Sequence, residues 1–230
     1  MRIAVSAGHN VYNGNYFDCG SIGNGKRECD ITRETVKLLI PMLKAQGHIV
    51  LDVTPYNERF VNAKAHHKVR CERADKFKAD MFIDVHINAG GGTGVEAWVY
   101  SRNSKAYPYA EKICNNISKN IGIPNRGVKI NPNYWSVSLC KAPAIIVEGA
   151  FIDNKSDMQK LTPLKYAKSI VECFGEVKKV EKKEHWAEKH FKNLNDKGIE
   201  VKEKRFNDII TRGEVMELLD RATDRRVNNV

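Results

Sequence analysis

The 230-residue chain has no Cys-x-x-Cys pair, no repeat in multiple copies, no low-complexity tract and no apolar stretch long enough to span a bilayer. The last absence excludes a helical membrane span. The first leaves Cys19, Cys29, Cys71, Cys114, Cys140 and Cys173 at irregular spacing. The expectation is free thiols in a reducing compartment; a bridge between two of them stays open, but spacing does not assign it. Met1 to Ser6 runs straight into a strand pattern, without the charged, apolar and cleavage regions of a secretory signal. Synthesis in the cytoplasm with no signal-directed export is therefore expected.

What is present fits a globular protein. The hydrophobic share is 42% and the formal net charge is +10. An excess of that size favours a polyanionic partner, nucleic acid or an anionic wall polymer, or else simply solvates the surface.

Residues 1–176 alternate strand and helix patterns. Apolar strands are expected at Arg2 to Ala7, Ile49 to Val53, Asp80 to Val85 and Ala144 to Val147, with an additional, alternating strand at Val95 to Tyr100, at a sheet edge. Helices are expected after Asp30, over Arg59 to Phe77, around Ala106 to Ile121, and from Lys155 to Phe174. Such alternation predicts an α/β fold: a mostly parallel, twisted sheet covered by helices on both faces. Residues 177–184 are charged and read as a linker. Residues 185–230 carry two short amphipathic patterns, the second opened by the capping-box pair Thr211 and Glu214, and read as a small helical C-terminal domain.

Three of the apolar runs stop at polar residues that carry chemistry. Ile3-Ala4-Val5 leads to Gly8-His9-Asn10, Met81 to Val85 leads to His86, and Ala144 to Val147 leads to Glu148. Glu28 stands just ahead of the first helix. In open α/β sheets the working residues gather beyond the carboxyl ends of the strands. Two imidazoles and a carboxylate there suit a zinc ion with one open position for water. The assignment is His9, Glu28 and His86 as ligands, with Glu148 as the general base that takes the water proton. Asn10, Asn88, Tyr134 and Trp135 are the candidate substrate contacts. His48, His66, His67, His185 and His190 read as structural.

At these residues the chain resembles the zinc-dependent N-acetylmuramoyl-L-alanine amidases of the amidase-3 family. The carrying segments are Ala7-Gly8-His9-Asn10, Arg70 to Ala89, Gly94-Val95-Glu96, and Ile146 to Asn154, in order over residues 1–176. The resemblance implies Zn2+ on His9, Glu28 and His86, a catalytic Glu148, and cleavage of the amide between N-acetylmuramic acid and L-alanine in peptidoglycan. The family glutamate is usually followed by Lys; here Cys29 follows Glu28, so Asp30 stands as the second candidate ligand. The family's usual Ser-Ile-His is Asp84-Val85-His86.

The tail is similar to a single S-layer-homology-like unit, through His185-Trp186-Ala187, Leu194, Gly198-Ile199, Phe206 and Thr211 to Glu214. This implies an anionic secondary cell-wall polymer as partner of residues 185–230, a docking or dimerising helix pair being the other reading. With no export signal, the expected role is a phage or prophage endolysin, held in the host cytoplasm until released to the wall. A host remodelling or sporulation amidase is the alternative. A zinc carboxypeptidase, with Arg126 or Arg70 holding a substrate carboxylate, is a further enzymatic reading. A basic nucleic-acid-binding protein is the reading of a different class; the spread of Lys and Arg along the chain argues against it, and no nucleic-acid partner is expected.

Overall fold

The computed structural model describes residues 1–175 and, beyond them, residues 192–194 and 196–198. The chain divides into two compact units, Met1–Lys178 and Lys179–Val230. The linker at 177–184 lies outside the described residues. So does the C-terminal domain at 185–230, apart from residues 192–194 and 196–198.

In chain order the elements are β1 (Arg2–Ala7), β2 (Val11–Asn13), β3 (Tyr16–Asp18), β4 (Ile22–Gly23), β5 (Lys26–Arg27), α1 (Glu28–Ala45), β6 (Ile49–Asp52), β7 (Arg59–Phe60), α2 (Ala63–Lys76), β8 (Met81–Asn88), β9 (Val95–Val99), α3 (Tyr107–Ile121), β10 (Asn125–Ile130), α4 (Trp135–Ser138), β11 (Ala144–Phe151), α5 (Lys155–Lys160) and α6 (Pro163–Val171). The main sheet has the order β10-β9-β11-β8-β1-β6. Its pairs are parallel except β9 with β11. The α/β architecture is as the alternating pattern predicts. No helix among the described residues is long and apolar enough to cross a membrane.

Strand parity sorts the two faces, because successive side chains point to opposite sides. Ile3, Val5, Ile83, Val85, Ile145 and Val147 face the larger core, with Leu39, Ile113, Ile117, Tyr166 and Ile170 from α1, α3 and α6. Ala4, Phe82 and Ile146 face a smaller cluster with Cys71 and Ala74 of α2 and Val137 of α4. His86 shares the parity of Phe82, and Glu148 that of Ile146. Both therefore open onto the thinly covered face, where the helices leave room.

Several local expectations are corrected. β8 does not stop at His86 but runs on to Asn88, and Glu148 lies inside β11, before an irregularity in pairing between Glu148 and Phe151. A carboxylate or imidazole on the exposed side of a continuing strand reads, in sequence, like a strand end. The strand at Val95–Val99 lies between β10 and β11; the edge is β10, whose Arg126-Gly127 and Lys129 hide its pattern. α1 starts at Glu28 rather than after Asp30. The loop carbonyls of Ser21 and Cys19 accept from the N–H groups of Glu28 and Cys29, so no capping side chain is required. The long C-terminal helix is broken at Leu161-Thr162, where Thr162 caps a new helix with Pro163 at its start. The free-thiol expectation fails for Cys71 and Cys140, which form a disulfide with Cα atoms 4.7 Å apart, tying α2 to the segment before β11. Cys19, Cys29, Cys114 and Cys173 are free.

Candidate active site

His9 follows β1 on a tight turn in which both His9 (φ 61°) and Asn10 (φ 67°) occupy the left-handed region. Such a turn costs energy for residues other than glycine and must be held from outside. The buried Arg70 of α2 does this, donating to the carbonyls of Ala7 and His9 and to the hydroxyl of Ser6. Asn10 completes the bracket. It is fully buried, donating to the carbonyls of Gly8 and Cys29 and accepting from Arg33 Nε, so the structure places it inside the fold and not on a substrate surface.

Glu28, the first residue of α1, is 2% exposed and points its carboxylate between the two histidines. Its Oε1 lies 3.2 Å from His9 Nε2 and 3.1 Å from His86 Nδ1, and the two rings meet edge to face with centroids 5.1 Å apart. One donor atom from each of His9, Glu28 and His86 lies within 4.8 Å of the others. The backbone N–H groups of Ile87 and Ser21 donate to the same carboxylate, at 2.9 and 3.0 Å. Asp30 does not take part: it is exposed and bonded to Arg27.

Behind each imidazole stands a further carboxylate. His9 Nδ1 is 2.7 Å from Asp18 Oδ1, and His86 Nε2 is 3.4 Å from Asp84 Oδ2. Asp84 is fully buried, accepts from Ser136 Oγ at 2.6 Å and lies 3.6 Å from Arg70; Ser136 in turn meets His67 Nδ1 at 2.8 Å. In this arrangement each histidine has one nitrogen held by a carboxylate and the other aimed at Glu28. That is how ligating histidines are oriented toward a metal. The space around the trio is kept by glycine. A Cβ at Gly20 (φ 70°) would meet Glu28 Oε2 at 2.5 Å and His9 Cδ2 at 2.6 Å, and one at Gly8 would meet the His86 ring. The donor set, its orientation and its cradle fit Zn2+.

The electrostatics follow from these contacts. Burial disfavours a charged His9, but its bonds to Asp18 and Glu28 outweigh burial and hold the pKa at about 9. His86 is also raised well above its ordinary value, against burial, by Asp84 and Glu28. Burial would raise Glu28, yet the two histidines bring it far below the carboxylate range. Glu148 behaves the other way. Its Oε2 is buried without a partner, and burial pushes its pKa up to about 7. It pairs in register with His86 across β8 and β11.

A cavity of about 390 Å³ opens beside these residues, lined by His86 and Glu148 and by Tyr134, Trp135 and His67. Tyr134 and Trp135 are half exposed on its wall, as a substrate surface requires. Asn88 is nearby but occupied, donating to Glu96 Oε1 at 2.9 Å. His67, read from the sequence as structural, is part of this wall; burial lowers its pKa to about 3, so it is neutral. Asp18 and Asp84 were not apparent as site residues. The sequence signals for Asp84 are a charge inside an apolar run, two residues before His86, and its standing where the family usually has Ser.

The sheet and its polar end define an α/β domain whose side chains suit a divalent cation and an adjacent proton acceptor. The chain belongs to the N-acetylmuramoyl-L-alanine amidase family, amidase-3, which residues 3–176 match. Among its relatives, the uncharacterized protein CPE1502 of Clostridium perfringens is 31% identical over 213 residues, covering 86% of this chain and 60% of that protein. The N-acetylmuramoyl-L-alanine amidase CwlM of Bacillus licheniformis is 29% identical over 171 residues, covering 74% and 64%. The chain thus spans less than two thirds of the length of either. Among solved structures, the catalytic domain of the CD27L endolysin targeting Clostridia difficile superposes with a TM-score of 0.67 at 26% identity, over 75% of this chain and 96% of that one.

Proposed function

We propose that this protein hydrolyses the amide between N-acetylmuramic acid and L-alanine in peptidoglycan. The single observation that carries this reading is the convergence of His9, Glu28 and His86 beside the unpartnered carboxylate of Glu148, in a chain of the amidase family. His9, Glu28 and His86 would hold Zn2+, which supplies Lewis acidity and brings the pKa of a bound water to about 7. Asp18 and Asp84 keep the two imidazoles turned toward that position. Glu148 Oε2, free of any protein donor, accepts the proton of the attacking water and returns it to the departing alanine nitrogen. A pKa near 7 suits both halves of that task. Tyr134 and Trp135 offer ring faces to sugar or peptide along the cavity.

The endolysin reading is supported by the likeness of the catalytic domain to that of the CD27L endolysin. In this reading the enzyme waits in the host cytoplasm until the membrane is breached, and residues 185–230 hold an anionic wall polymer. The test is digestion of purified cell wall with the full chain. The expected result is new N-terminal alanine, no new reducing ends, and about one zinc per chain by metal analysis. Release of reducing sugar without alanine amino groups would overturn it.

A further inference from the structure

One polar row crosses the open face of the sheet at a single level. His86 on β8 pairs with Glu148 on β11, and Glu148 pairs with Glu96 on β9. Glu96 Oε2 then accepts from Arg126 Nε on β10 at 2.7 Å. The row exists because β9 runs against β11, and β10 runs parallel to β9. Their first residues therefore lie at the end where the other strands finish.

Glu96 is a buried anchor, held from three sides. Its Oε1 accepts from Asn88 Nδ2 at 2.9 Å and Trp98 Nε1 at 3.2 Å, and its Oε2 from Arg126. Arg126 also lies over the Phe151 ring, 5.0 Å from its centroid. These contacts orient the guanidinium while using only Nε. Its two terminal nitrogens make no hydrogen bond among the described residues, and the side chain is 39% exposed. A fixed guanidinium with its fork open is a bidentate receptor for carboxylate. A chain of contacts links it to the cavity wall: Tyr134 packs edge-on against Trp98 at 5.0 Å, and Trp98 donates to Glu96.

We infer that Arg126, positioned by Glu96, binds a free carboxylate of the stem peptide beyond the scissile amide. This deepens the amidase reading and rests on it. Strands lie about 4.8 Å apart, which sets β10 about 10 Å from β11. An extended peptide covers that in about three residues. The carboxylate is therefore borne by the second or third residue of the stem, counting the alanine as the first.

The experiment uses soluble muramyl peptides with the same muramyl–alanine bond. One has free carboxylates on the second and third stem residues. Two others have one or the other converted to carboxamide. Wild-type enzyme is expected to show a KM about 10-fold or more lower for the probe whose recognised carboxylate is free. Arg126→Ala is expected to raise KM for that probe about 10- to 100-fold with little change in kcat, to leave the matching amide probe unaffected, and to be partly rescued by Arg126→Lys. The amide arm that loses discrimination identifies which carboxylate is read. Equal losses on all probes, or none, would overturn the inference. Titration of the stem peptide itself, followed by calorimetry, separates the two claims. If wild type cleaves no probe, the amidase reading falls, and binding that Arg126→Ala abolishes still upholds the receptor. Unchanged binding by Arg126→Ala removes it.

Discussion

Glu28 and Glu148 lie at the same end of the same sheet, Glu28 buried and Glu148 lining the cavity with its Oε2 buried, and they behave in opposite ways. Glu28 faces two imidazoles and two backbone N–H groups, and stays ionised far below the usual range. Glu148 has one oxygen with no partner at all, and burial brings its pKa to about 7. Burial alone does not decide the charge of a carboxylate; the donors it meets do. One end of a sheet thereby provides a permanent anion fit to hold a cation and, one strand away, a carboxyl group fit to exchange a proton.

The largest expected effect comes from breaking the cation-holding side. His86→Ala should lose bound zinc by metal analysis and lower alanine release by roughly 10³-fold or more, several kcal/mol of transition-state stabilisation. Full zinc occupancy in that variant would remove His86 from the ligand set. Next is the proton-exchanging side: Glu148→Gln should cut kcat by about 10²- to 10⁴-fold while zinc content stays that of the wild type. A variant that lost its zinc would merge the two roles that the structure separates.

A smaller effect is expected behind the ligands. Asp18→Asn should weaken zinc affinity about 10- to 100-fold in a competition titration, because the His9 ring loses its orienting carboxylate. Asp18 is the cleaner choice, since Asp84 also faces the buried Arg70, and removing it would leave an uncompensated charge.

The smallest effect is on the pH dependence of the metal-free protein. Glu28, lowered, contributes stability above its ordinary 4.5 that disappears as pH falls. His9, raised, contributes stability that is complete below 6.5 and is lost as pH rises through about 9. Glu148, raised, contributes stability below 4.5 that is lost as pH rises through about 7. The Tm of the metal-free protein should therefore peak on the acid side of neutrality and fall by pH 9. Zinc should reverse the alkaline part, since its binding needs unprotonated imidazoles and strengthens as pH rises. A Tm in the metal-free protein that climbed from pH 6 to 9 would contradict the charge assignments.

Much of this was readable in advance. Buried parallel strands are continuous apolar runs, so β1, β8 and β11 announced themselves, and the polar residues His9, His86 and Glu148 stood out against them. Glu28 was harder, because Glu-Cys-Asp ahead of an amphipathic pattern reads as the approach to a helix that has in fact begun. β10 was missed because an edge strand with Arg126, Gly127 and Lys129 has little apolar periodicity. Arg126 was legible as a holder of a carboxylate and Glu96 as part of a family segment, but their pairing was not: it depends on β9 running against β11 with β10 beside it.

The amino-acid order by itself determined the alternation of strands and helices and the chemical kinds of group at each strand's polar end, because periodicity and burial are local properties. Only the tertiary structure decided which of those groups meet. The antiparallel turn of β9, the sulfur bridge between Cys71 and Cys140, and the meeting of His9 and Glu28 with His86 join residues far apart along the chain. Such pairings depend on strand order and direction, which no local pattern encodes.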